Sequence, residues 1–101
     1  KSSDTYSVLG PWMVTKDEID DPNNLDLKIS VNGEVQQDSN TDQLVYNVQK
    51  CIEYTTTRYT LYPGDIIMTG TPEGVGPVEP GDTMTAEIEG IGHMEVAIRR
   101  A

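Results

Sequence analysis

The chain has 101 residues, 36% of them hydrophobic, with one Trp, five Tyr and no Phe, a length for one domain whose modest core must be built from Ile, Val, Leu and Met. Seven basic side chains against 17 acidic ones give a formal net charge of −10, which repels phosphate backbones and anionic membranes and argues against nucleic-acid and membrane partners. Cys51 is the only cysteine and closes no internal disulfide, and the apolar runs are too short for a membrane span or a secretory leader, so a cytoplasmic protein is expected. The same acidic excess repels an anionic substrate, so a dicarboxylate would need a cation or metal beside it.

Residues 1–24 are rich in Ser, Asp, Pro and Asn around one apolar island, Trp12-Met13-Val14, which predicts a wandering segment with one brief strand. Thr15 and Glu18 stand at capping-box spacing and predict a single helical turn from Lys16 to Ile19. Leu25, Leu27, Ile29 and Val31 alternate with Asp26, Lys28 and Ser30, the period of a half-buried strand. Asn32-Gly33 follows at once and is a strong hairpin signal, so Glu34 to Gln37 should return antiparallel. Ser39, Asn40 and Thr41 are good N-cap residues, and Leu44, Val45, Val48, Cys51 and Ile52 recur at spacings of three and four, predicting an amphipathic helix to about Thr57. Thr55-Thr56-Thr57 should fray or end it. Cys51 reads as a core thiol of that helix.

Leu61 to Gly76, LYPGDIIMTGTPEGVG, is the most informative stretch. Pro63-Gly64-Asp65 reads as a turn and Ile66-Ile67-Met68 as a short buried strand. Thr69-Gly70-Thr71-Pro72 reads as a loop whose backbone donors and hydroxyls are not crowded by large side chains. Such a loop can hold an anion, although on these residues alone a plain turn is the simpler reading. Pro80-Gly81-Asp82 repeats the earlier triplet as turn chemistry. Met84, Ala86 and Ile88 then alternate with Thr85, Glu87 and Glu89, and Gly90-Ile91-Gly92 turns the chain into His93 to Arg99, a second hairpin. The expected class is a β-rich α+β domain with two hairpins and one main helix. Glu87 and Glu89 are two apart and could share a cation, but a solvated strand face explains them; His93 has no spaced ligand partner and reads as a surface residue.

The order PGD, short apolar strand, TGTP and Gly-rich turn resembles the C-terminal signature of the fumarylacetoacetate hydrolase family. Lys1 with Asp4-Thr5-Tyr6, Gly10-Pro11-Trp12, Asp20-Asp21-Pro22-Asn23-Asn24-Leu25, Val31-Asn32-Gly33-Glu34-Val35, Gln37-Asp38-Ser39-Asn40-Thr41 and Glu87-Ile88-Glu89-Gly90-Ile91-Gly92 agree in the same order over nearly the whole chain. The resemblance implies that residues 1–101 form the C-terminal half of a mixed β-sandwich roll. It implies a metal-dependent enzyme acting on enolisable oxo-acids or dicarboxylates, of the hydroxyhepta-dienedioate isomerase and oxopentene-tricarboxylate decarboxylase branch of aromatic catabolism. Acylpyruvate hydrolysis or oxaloacetate decarboxylation is the close alternative, and a non-catalytic binding or assembly domain the alternative of another class.

The family's metal, Mg²⁺ or Mn²⁺, is held by a Glu-x-Glu pair and a later Asp lying before the lysine that Lys1 matches. The ligands are therefore expected outside this chain, with no metal ligand within it. Lys1 and Thr71 carry over as the catalytic pair, one neutralising enolate or carboxylate charge and the other donating to the substrate carboxylate. Thr69, Gly70 and Thr71 carry over as the substrate-binding loop. Ser39 and Asn40 also match, but helix capping accounts for them. The absence of a Met ahead of Lys1 suggests a boundary within a longer protein, a cleavage product or an incomplete sequence rather than a natural start, and a homodimer is implied by the resemblance. The short connection from Gly76 to Pro80 departs from many relatives, so specificity does not carry over through that loop.

Overall fold

Asn32 and Gly33 both have positive φ, 50° and 83°, the pair of left-handed conformations that lets a two-residue turn follow the twist of its strands. In the computed structural model, which describes residues 4–100, this turn joins β1 (Asp26–Val31) to β2 (Glu34–Asn40). The ladder starts in the register the turn dictates, Val31 opposite Glu34 and Ser30 opposite Val35, and then shifts: Ile29 faces Gln37, so Gln36 is an extra residue on β2. This bulge exchanges which of the two adjacent glutamines lies opposite Ile29. β2 also runs three residues further than Gln37, carrying Asp38, Ser39 and Asn40 into the sheet.

The second hairpin is β3 (Thr83–Ile88) and β4 (Gly92–Ala97). β3 pairs antiparallel with β1 as well as with β4, giving the order β2-β1-β3-β4. Asn32 fastens the two hairpins together. Its backbone N–H donates to Thr83 O at 2.9 Å, its side-chain oxygen accepts from Thr83 N at 2.9 Å, and its amide donates to Asp82 Oδ1 at 2.8 Å. The expected α+β class with two hairpins and one main helix is what the structure has, and these residues form one wholly antiparallel layer.

The register sorts the side chains onto two faces. Leu27, Ile29 and Val31 share one face with Met84, Ala86, Ile88, Met94 and Val96. The opposite face carries a row across all four strands, Asp38, Lys28, Glu87 and His93, in which Lys28 Nζ lies 3.6 Å from Asp38. The Glu87 and His93 side chains are exposed as expected, and Glu89 is engaged with β1, its carboxylate accepting from Asp26 N at 3.2 Å. Among the described residues no apolar side chain is fully buried. The radius of gyration, 14.8 Å, exceeds the roughly 13 Å of a closed domain of this length. The apolar face is therefore only half covered.

Several local expectations change. The long helix from the Ser39–Thr41 caps splits in two. Asn40 is still extended, and its side chain caps a 3-10 turn, Thr41–Gln43; the α-helix α1 spans Val48–Thr56 with Asn47 as its N-cap. Asn47 Oδ1 accepts from Lys50 N at 2.8 Å and Asn23 Oδ1 from Val48 N at 2.9 Å, so two otherwise unpaired helical donors are satisfied from outside the helix. α1 ends within the threonine run as expected. The Thr55, Thr56 and Thr57 hydroxyls donate to the Cys51, Glu53 and Tyr54 carbonyls, competing with helix continuation.

Lys16–Glu18 is a 3-10 turn, and the Thr15 hydroxyl donates to Asp17 Oδ1 at 2.6 Å rather than capping the backbone. Trp12-Met13-Val14 is not a strand, because its indole is used as an anchor: Nε1 donates to Ile91 O at 2.9 Å. A Cβ on Gly92 would lie 2.8 Å from Trp12 Cζ2, so the ring seats on the glycine. Ile66-Ile67-Met68 also joins no strand, and Ile66 and Met68 are 61% and 69% exposed. The triplet has the composition of a strand, but no described strand edge lies beside it to complete a ladder.

Candidate ligand-binding site

The two PGD triplets are built alike. Tyr62 O accepts from Asp65 N at 3.0 Å while the Asp65 carboxylate accepts from Tyr62 N at 2.8 Å; Glu79 and Asp82 repeat this at 3.0 and 2.8 Å. Gly64 and Gly81 hold φ of 95° and 102°, the left-handed third position of a turn that Pro opens. Between these two closed turns runs the Thr69–Gly76 segment, which has no helix or strand of its own.

What holds that segment is Gln37, the most deeply buried described polar side chain at 6% exposure. Its Nε2 donates to Pro72 O at 2.6 Å and to Thr71 Oγ1 at 2.9 Å, with Glu73 O at 3.3 Å. Gly74 makes the docking steric as well. Its φ is 95°, and a Cβ there would sit 1.9 Å from Gln36 O, closer than any side chain allows. The bulge on β2 thus supplies both contacts, the carbonyl of its extra residue and the side chain of the next. In the sequence Gln37 reads only as the end of a return strand. Its signal was a polar residue on the strand whose partner face is apolar, and the unseen bulge concealed it.

The docked loop closes one side of a cavity of about 290 Å³, whose other walls are the end of β2, the 3-10 turn that follows it and the N-terminal part of α1. The structure brings Thr69, Gly70 and Thr71 together with Ser39, Asn40 and Thr41. Asn40 and Thr41 are occupied in the scaffold: Asn40 Oδ1 accepts from Asp42 N at 2.9 Å, and the Thr41 hydroxyl donates to Pro22 O and accepts from Leu25 N, each at 2.9 Å. Cys51 lines the cavity half-buried, with Sγ 3.5 Å from Tyr46 O. Lys1 lies outside the described residues.

Among the described residues no acidic or basic side chain lines this cavity, in a chain of net charge −10. A carboxylate placed there meets hydroxyls, amides and backbone rather than like charge. The lining does not fit a divalent metal, which takes carboxylate oxygens as its main ligands. Among the described residues no three His, Cys, Asp or Glu side chains come together as a metal site.

An antiparallel sheet with one helix and a small-residue loop docked beside its edge strand belongs to the α+β class. Residues 1–99 match the family model described as fumarylacetoacetate (FAA) hydrolase C-terminal, and the chain belongs to that family. A maleylpyruvate hydrolase of Aquipseudomonas alcaligenes is 58% identical over 99 residues, 98% of this chain and 34% of that protein. The 4-hydroxyphenylacetate degradation bifunctional isomerase/decarboxylase of Salmonella dublin is 44% identical, over 93% of this chain and 22% of its own length. Among solved structures, maleylpyruvate hydrolase from Sphingobium sp. SYK-6 in complex with manganese(II) ion and pyruvate superposes with a TM-score of 0.87 at 46% identity, over 89% of this chain and 34% of that one. The chain thus spans about a third or less of these relatives.

Proposed function

We propose that the intact protein containing this chain cleaves or rearranges an enolisable oxo-acid, with an acylpyruvate as the first substrate class to test. The observation that carries the reading is the neutral cavity closed by Thr69, Gly70 and Thr71, in a chain whose 58% identical relative is a maleylpyruvate hydrolase. In this reading the loop takes the substrate's carboxylate end, where the Thr71 hydroxyl and the loop's backbone N–H groups donate to oxygens that stay or become negative. Donors already fixed by Gln37 need no reorganisation when charge develops. Lys1 supplies a positive charge, which the described lining residues lack. The ion of this reading, Mg²⁺ or Mn²⁺, is held by carboxylates beyond this chain.

The second reading is the isomerase/decarboxylase reaction on a hydroxyhepta-dienedioate or oxopentene-tricarboxylate, supported by the 44% identity to the bifunctional enzyme. Steady-state assays on the intact protein with Mn²⁺ separate the two. Release of pyruvate from an acylpyruvate, lost on chelation and restored by Mn²⁺, is the expected result. Isomerisation or CO₂ release without acylpyruvate cleavage selects the second reading, and absence of all three reactions leaves a binding or assembly domain.

A further inference from the structure

We infer that Gln37 is a positioning residue that fixes the polarity of the Thr71 hydroxyl, making it an obligate donor to the ligand. The assignment of the Gln37 amide is forced by its neighbours. Pro72 O at 2.6 Å and Glu73 O at 3.3 Å are carbonyls and only accept, so the nitrogen of the amide must face them. That nitrogen has two hydrogens. One goes to Pro72 O and the other to Thr71 Oγ1 at 2.9 Å, which therefore accepts. A hydroxyl has a single hydrogen, and one that already accepts from the scaffold keeps its donor for another group. Thr71 lines the cavity, so that remaining donor is available to a carboxylate held there.

Thr41, which lines the same cavity, shows the contrast. Its hydroxyl donates to Pro22 O and accepts from Leu25 N, and its only hydrogen is spent within the fold. Among the described residues the Thr71 hydroxyl has one scaffold partner, and that partner is a donor. The burial of Gln37 excludes water that would let the network invert.

The inference rests on the oxo-acid reading and deepens it. Its test is a double-substitution cycle on the intact, Mn²⁺-loaded protein, reading pyruvate affinity by calorimetry and fold by thermal melting. Gln37→Glu replaces a donor by an acceptor, which draws the Thr71 hydrogen away from the ligand. Pyruvate affinity should fall about tenfold to a hundredfold, the range for losing a hydrogen bond to a charged group. Thr71→Val should produce a similar loss. In the Thr71→Val background Gln37→Glu should cost little more, because the hydroxyl through which it acts is gone.

Charge repulsion or loop loosening would persist in that background, so equal losses from Gln37→Glu with and without the hydroxyl would overturn the proposal. Wild-type affinity in folded Gln37→Glu would do the same. Should the glutamate variant not fold, the cycle is run with Gln37→Met, where coupling is again expected and additivity is the overturning result. A wild-type protein that binds no pyruvate would remove the functional reading and the inference with it, an outcome distinct from binding without coupling.

Discussion

The Asp82 carboxylate accepts from the Glu79 backbone N–H and from the Asn32 amide, and both bonds favour its charged form. Its pKa is accordingly held below the ordinary 3.8, the Glu79 bond being the larger cause. A depressed folded-state pKa contributes stability that is fully present above the unfolded value and is lost as pH falls through the folded one. Asp82→Asn should therefore lower the melting temperature at neutral pH and flatten its decline below about pH 4, measured by melts across an acid series; an unchanged acid limb would place the pH dependence elsewhere. Thr71→Val and Lys1→Met should each reduce turnover of the intact enzyme by roughly ten- to a thousandfold, while metal affinity falls less because neither is assigned as a ligand. Near-wild-type rates in both would make them scaffold. Thr71 could be singled out from its motif, whereas Gln37 could not: a hairpin drawn from the Asn32-Gly33 turn alone puts Gln36 opposite Ile29, and only the bulge puts Gln37 there.

At the level of elements, the legible parts are those whose signals are local. Alternation marks β1 and β3, the Gly90-Ile91-Gly92 turn marks the return as β4, and positive φ at Asn32 and Gly33 agrees with the turn those residues announce. The helix start was misplaced because three consecutive cap residues at Ser39–Thr41 competed with Asn47, and the contest was settled by Pro22 and Asn23 from a distant segment. Pro63-Gly64-Asp65 was recognisable as a turn, yet the apolar triplet after it has no described partner. The docking of the Thr69–Gly76 loop depends on Gly74 at a contact no sequence period marks. Gly74→Ala should push the loop off β2, since both φ and the Gln36 carbonyl oppose a Cβ. Faster amide exchange across residues 71–76 together with weaker pyruvate binding is the expected result, and unchanged exchange would show that the contact yields without cost.

Among the described residues the sheet presents an apolar face with no buried hydrophobic residue behind it, and the cavity has no metal-ligand cluster. The half-open face was only partly foreseeable: a composition poor in aromatics indicated a modest core, but not that the face would remain half open. Residues 1–101 alone should bind Mg²⁺ and Mn²⁺ weakly by calorimetry, with a stoichiometric micromolar site refuting this. For the intact protein we propose a homodimer, in which association covers apolar surface that would otherwise face water. Light scattering checks it, and a fully active monomer would contradict it.

The strand order β2-β1-β3-β4 has a consequence for how the chain is assembled in time. Each hairpin can form from neighbours, but β1 meets β3 only when Val31 finds Met84, a closure over much of the chain and slow for that reason. The bonds from Gln37 to Thr71 and Pro72 fall inside that span. Made early, they gather the intervening chain against the first hairpin and shorten the search left to the second. The contact that shapes the loop is thus also placed to act as a stepping stone in folding, so that weakening it should slow refolding as well as loosen the loop.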